Sequence, residues 1–167
     1  MRTRDEDELV DFVAACAPGW QRLACLLTGN WHDAEDVVAA SVVRLYKAWP
    51  RVATADDPHA YAHRVVVNES NRWLRRSRRV LPLTVLSRET AEIDDLAGRE
   101  AMWEAIKALP TRQRAVVVLR YYLDWSERDI AVVLKCSPGT IKSQSSKALA
   151  RLRAELTDDP ELQESAG

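Results

Sequence analysis

Apolar side chains recur along this chain at three- and four-residue intervals, the period of an α-helix with one buried face. Residues 6–16 place Leu9, Val10, Phe12, Val13 and Cys16 on that period. A second helix is predicted over 19–27, and Thr28-Gly29-Asn30 supplies its stop signal. A third runs from about 33 to 48, with Ala34, Val37, Val38, Val42, Leu45, Tyr46 and Trp49 in one stripe. Pro50 is expected to end it. Asp57-Pro58 opens a fourth helix that reaches about Arg78. Further helices are predicted over 95–108, 111–123, 126–134 and 138–156, with Leu109-Pro110 separating the first two.

Residues 80–97, VLPLTVLSRETAEIDDLA, break the pattern with Pro82, β-branched residues and an acidic stretch. They read as a flexible linker with a boundary near residue 85; a loop inside one domain is the alternative. The final TDDPELQESAG is acidic and is expected to be disordered. The expected fold class is therefore all-α. It comprises two small helical domains, 5–80 and 98–156, a linker over 81–97 and a tail over 157–167.

Composition narrows this picture. With 5 glycines and 7 prolines in 167 residues, a turn-rich β architecture is disfavoured. The net charge of −1 hides an uneven distribution. Residues 70–79 carry Arg72, Arg75, Arg76, Arg78 and Arg79 with no acid, and 137–153 carry Lys142, Lys147, Arg151 and Arg153 with no acid. Acids gather in 1–36 instead. Three cysteines, Cys16, Cys25 and Cys136, without CxxC spacing fit reduced thiols. The acidic MRTRDEDELVD is unlike a signal peptide, and runs such as Val116–Leu119 are too short to span a bilayer. A cytoplasmic protein without membrane insertion is expected. His59 and His63 have an i, i+4 spacing but read HAYAH, not HExxH, so no metal is expected. No P-loop, GxGxxG or GxSxG occurs, and the chain is expected to be neither an enzyme nor a cofactor binder.

The most specific signal is WSERDIAVVLKCSPGTIKSQSSKALARLR, residues 125–153. Ser126 with Asp129 three residues on is a capping-box arrangement. Ile130, Val133 and Leu134 supply an apolar face, and Ala131 is small enough for a close helix crossing. Lys135-Cys136 forms the turn. Ser137 then caps a helix with Pro138 at its first position, where no N–H is needed. In that helix Ile141, Ser145, Ala148 and Leu152 point one way. Thr140, Ser143, Gln144, Lys147 and Arg151 form the opposite, acid-free stripe. A short helix followed by a long one with such a stripe resembles a DNA-binding helix-turn-helix. A helical hairpin with a merely solvated face is the bland alternative.

The stretch from Leu109 to Arg153 resembles region 4 of the extracytoplasmic-function (ECF) RNA polymerase sigma factors. HDAEDVVAASVVRLYKAW resembles their region 2.2, and DPHAYAHRVVVNESNRWLRRSRR their regions 2.3 and 2.4. The resemblance covers about residues 8–155 and implies a promoter-specificity subunit. Its partners would be core RNA polymerase, through the β′ clamp helices and β flap, and promoter DNA; an anti-sigma protein is an open further partner. It implies that Ser137, Thr140, Lys142, Ser143, Gln144, Lys147 and Arg151 face the −35 element. The sequence departs from the family at Lys135, where glycine is usual, at Gln144 and Lys147, where arginines are common, at Ala39-Ala40-Ser41, which replaces a more polar pattern, and near Asn71, where aspartate is common. The promoter sequence does not follow.

The residues of the first half carry their own chemistry. Asn68, Arg72, Arg75, Arg76 and Arg79 share one face of the fourth helix, and like charges so spaced repel by a few tenths of a kcal/mol per pair. Such a face suits a polyanion; Trp73 and Asn68 add stacking and hydrogen bonding suited to single strands. A solvated helix end with Trp73 in the core is the alternative. By resemblance this face holds the −10 element. On the third helix, Asp33, Asp36, Ala39, Ala40 and Val43 lie away from the expected core, and small apolar side chains there suggest a protein partner. By resemblance that partner is the polymerase clamp. The rivals are a helix-turn-helix regulator acting without core polymerase and a recombinase. The arginine face counts against the first, and the lack of a nucleophile constellation against the second.

Overall fold

The structure is a computed structural model that describes residues 4–80 and 97–157. The predicted linker and tail lie outside the described residues. Among these residues there are helices and turns but no strand. They fall into two compact units, one within Met1–Thr90 and one within Ala91–Gly167.

The first unit packs three long helices: α1 (Arg4–Thr28), α2 (Trp31–Ala53) and α3 (Pro58–Val80). α1 corrects the expectation of two helices, because it runs unbroken through Pro18. An interior proline loses one backbone hydrogen bond and costs about 3 kcal/mol. Pro18 lies on the exposed side, where carbonyls can tilt toward water. A continuous rod lets Leu9 bury together with Trp20, Leu23, Ala24 and Leu27. At ~1.5–3 kcal/mol for each large side chain buried, that outweighs the proline.

The same competition decides α2. Asn30 caps it, accepting from the Asp33 N–H at 2.8 Å. Pro50 does not end it; the helix continues to bury Trp49 and Val52. Val37, Ser41 and Leu45 face the core, and Ser41, fully buried, donates to the Val37 carbonyl at 2.7 Å. Two expected core residues lie outside: Tyr46 is 57% exposed and Val10 43%. Each sits at the edge of its stripe, where the helical period alone does not choose a side.

Asp57 caps α3, accepting from the Ala60 N–H at 2.9 Å. Ala62, Val66 and Val67 are buried, and Ser70 donates to the Val66 carbonyl at 2.9 Å. At one end of the bundle Phe12 meets Trp20, Trp49 and His59, with ring centroids 5.8, 5.4 and 5.0 Å away. The Cys16 Sγ lies 3.4 Å from His59 Nδ1, and burial pushes the Cys16 thiol up.

The second unit contains α4 (Ala97–Ala108), α5 (Thr111–Val117), α6 (Glu127–Leu134) and α7 (Pro138–Thr157). α5 was expected to run to residue 123. It passes instead into a π-helical turn, Val118–Tyr122, and Asp124 adopts a left-handed φ of 58°. The Trp125 N–H closes the segment onto the Leu119 carbonyl at 3.0 Å. Ala105, Leu109, Val117, Ala148 and Leu152 form a core cluster that ties α4 and α5 to α7. No described helix is long and apolar enough to cross a membrane.

His63, half-buried in the first unit, generates a pH prediction. Burial lowers its pKa, neighbouring His59 lowers it further, and Asp57 opposes both. The unfolded chain therefore takes up a proton first as pH falls below about 6.5. Stability should be flat above that value and decline as pH drops from there through the folded pKa. Thermal melts should show His63→Gln with a shallower loss between pH 7 and pH 5 than the parent.

Candidate nucleic-acid interface

The helix-turn-helix is built from α6, a tight turn and α7. Ser126 Oγ accepts from the Asp129 N–H at 3.1 Å and donates to the Asp129 carboxylate at 2.8 Å. The acid thus returns to the hydroxyl, where the predicted capping box would send it to the backbone. Ile130 and Ala131 are buried against the neighbouring helices. α6 ends in a Schellman turn: Lys135 is left-handed with φ 54°, and the Cys136 N–H reaches the Ala131 carbonyl at 3.0 Å. Arg112 of α5 donates to the Leu134 carbonyl at 3.2 Å, which holds the same turn from a second helix. No sequence motif signalled Arg112; its reach across 22 residues exists only in the fold.

Ser137 caps α7, accepting from the Thr140 N–H at 3.1 Å, and its hydroxyl lies 2.9 Å from that of Thr140. Ile141, Ala148 and Leu152 are buried and Ser145 is half-buried, which fixes the helix phase. Lys142, Ser143, Lys147 and Arg151 are then exposed, and Gln144 and Thr140 half-buried. The α7 first turn holds no acid, so its orphan N–H groups and the cations beyond form one electropositive strip.

In the first unit α3 presents Asn68, Arg75 and Arg76 to solvent, with Asn71, Arg72 and Trp73 half-buried. Arg79 is in the α3 backbone, but its side chain lies outside the described set. Arg72 is not a bare cation: its Nη1 sits 3.4 Å from Oε1 of Glu69, which also pairs with Arg44 of α2. Glu69 was missed in the sequence. Its spacing from Ala62 and Val66 is helical and inward, and an acid at such a position is itself a signal.

On α2, Asp36, Ala39 and Val43 are exposed and Ala40 is partly buried. Asp33 is half-buried and bonded through its side chain to Asn30. Exposed Tyr46 extends the Ala39–Val43 line by another turn. The three cysteines form no disulfide, and no group of three metal-ligating side chains occurs among the described residues.

The two units correspond to two family models in order along the chain. Residues 12–80 match Sigma-70 region 2, and residues 99–152 match Sigma-70, region 4. The RNA polymerase sigma-E factor of Streptomyces avermitilis is 36% identical, over 89% of this chain and 85% of that protein. The ECF RNA polymerase sigma factor SigM of Mycobacterium tuberculosis is 30% identical, over 78% of this chain and 68% of that one. The fold is also that of the Bartonella quintana sigma factor RpoE, solved in complex with the anti-sigma factor NepR. There the TM-score is 0.69 at 23% identity, covering 91% of this chain and 98% of that one. The chain belongs to the sigma-70 family of RNA polymerase sigma factors, in its ECF type.

Two measurements test the motif, one its strip on α7 and one its turn. Lys147→Ala and Arg151→Ala should each weaken binding of duplex promoter DNA, and a lost phosphate contact should lower the salt slope by about one. Lys135→Gly should raise the melting temperature by a few degrees, since relieving a non-glycine left-handed residue is worth about 1 kcal/mol.

Proposed function

We propose that this chain docks on core RNA polymerase, selects promoters through −10 and −35 contacts, and leaves the chemistry of transcription to the core enzyme. The observation that carries this reading is the pairing, in one chain, of a recognition helix whose stripe from Thr140 to Arg151 carries no acid with an arginine-lined helix in a separate unit. The first suits the major groove of duplex DNA. The second suits a strand whose bases are exposed. A regulator acting without polymerase has use for the first but not for the second.

The assignments follow the faces. Ser137, Thr140, Lys142, Ser143, Gln144, Lys147 and Arg151 meet the −35 element, and region 4 also meets the β flap. Ser137 and Thr140 hold each other at the cap, so they offer phosphate contacts through the helix terminus. The longer side chains of Gln144, Lys147 and Arg151 reach further. Asn68, Asn71, Arg72, Trp73, Arg75, Arg76 and Arg79 hold the −10 strand, with arginine suited to fork onto phosphate or stack on bases. Asp33, Asp36, Ala39, Ala40 and Val43, extended by Tyr46, meet the β′ clamp helices. Residues 5–80 and 98–156 act as separate reading heads joined by 81–97, ahead of a tail at 157–167. The setting is the cytoplasm, where core polymerase works. The NepR complex of the B. quintana protein makes an anti-sigma protein a reasonable partner class here too.

Run-off transcription with core enzyme on genomic fragments tests the reading, and Ala39→Arg sharpens it. Ala39 is exposed, so the variant should keep its melting temperature within a few degrees. A charge left uncompensated in a dry interface costs several kcal/mol, so core affinity should fall about a hundredfold or more. Normal core binding by a folded Ala39→Arg would move the docking face elsewhere. Absence of promoter-dependent run-off by the parent would refute the function.

A further inference from the structure

Among the described residues of the first unit one carboxylate is buried between the helices, and it faces arginines from two of them. Glu69 is 7% exposed. Its Oε1 is within ion-pair reach of Arg44 on α2 and of Arg72 on α3. Both arginines meet the same carboxylate oxygen as ion pairs. The side chains of Arg44 and Arg72 remain 48% and 41% exposed. The acid is inside, and the two cations straddle the edge between core and solvent.

We propose that Glu69 is a positioning residue that aims Arg72 at the bases of the melted strand. It thereby converts one member of the arginine stripe from a phosphate attractant into a sequence reader. The proposal rests on the assignment of α3 to the −10 strand. A free arginine on a helix surface samples many rotamers and pays the ordering cost when it binds. An arginine tethered to a buried carboxylate bears that cost in the free protein. Exposed Arg75 and Arg76 supply the diffuse attraction; Arg72 supplies direction. Arg44 brings α2 into the same carboxylate, so the helix proposed to dock on polymerase shares an ionic contact with the helix proposed to read DNA.

Glu69→Gln separates affinity from specificity. It leaves a neutral amide in the buried position and two arginines that can turn to water, so no buried charge is stranded. The trio of side chains goes from a net charge of one to two. Attraction to DNA should hold or rise, with a salt slope steeper by up to about 0.7 on a single strand. Discrimination should fall.

The experiment uses holoenzyme assembled from the full chain and core polymerase. The probe is a pool of fork-junction DNA randomised across the unpaired non-template positions, sequenced before and after capture. The parent should enrich a motif. Glu69→Gln should capture at least as much DNA, with enrichment at one or more positions reduced about fivefold or more, the lower end for loss of one side-chain-to-base contact. Arg72→Lys, which keeps charge but lacks the fork, should flatten the same positions. An unchanged motif in folded Glu69→Gln overturns the proposal. So does a parallel fall in total capture and enrichment, the signature of a merely structural role. An unchanged motif in Arg72→Lys overturns it even if Glu69→Gln does not fold. A parent that enriches no motif refutes the −10 assignment, and the proposal with it, and is distinguishable from failure of the variants alone.

Discussion

Which side chains a helix buries sets its rotation about its own axis, and every outward face of this molecule depends on that rotation. In α2, burial of Val37, Ser41, Leu45 and Trp49 turns Asp36, Ala39, Val43 and Tyr46 to the surface. In α7, burial of Ile141, Ala148 and Leu152 does the same for Lys147 and Arg151. A change of one residue in phase would rotate either helix by about 100° and carry its face away from any partner. The core therefore specifies the interface without contributing an atom to it. Buried serines serve this end as well as leucines do, because Ser41 and Ser70 return their hydroxyls to carbonyls of their own helices and permit close neighbours.

The helix-turn-helix was legible because its determinants are local. Ser126, Lys135, Ser137 and Pro138 lie within a few residues of the backbone groups that they satisfy. Helix periodicity read most of α7 and the inner stripe of α2 for the same reason. The proline rules misled because they, too, are local. Pro18 and Pro50 carry a real backbone cost, but side chains brought in from distant helices exceed it, and no window of sequence contains those side chains.

The candidate site was legible as a set of faces and illegible as a network. The crowding of arginines over Arg72–Arg79 announces a polyanion surface, and that inference needs no coordinates. The pairing of Glu69 with Arg44 and Arg72 needs the packing of α2 on α3, and Arg112 on the Leu134 carbonyl needs the packing of α5 beside α6. The edge positions Tyr46 and Val10 failed for a geometric reason: at the margin of an apolar stripe, either side of the helix satisfies the period.

The π-helical turn at Val118–Tyr122 has a genetic reading. A turn that spans five residues where four would close an α-helix holds one residue more than the regular ladder requires. The surplus falls in the last turn of the helix, where Leu123 closes onto Val118 and Asp124 turns the chain away. The surplus leaves Leu119 inside and Tyr121 and Tyr122 outside, at 57% and 47% exposure. Removal of one residue here would close the turn through an ordinary i+4 bond in place of the i+5 bond from Leu123 to Val118. An added residue would have to open the left-handed Asp124 turn and the Trp125–Leu119 bond that close the segment. In length variation, this stretch ahead of the recognition motif is a one-way valve.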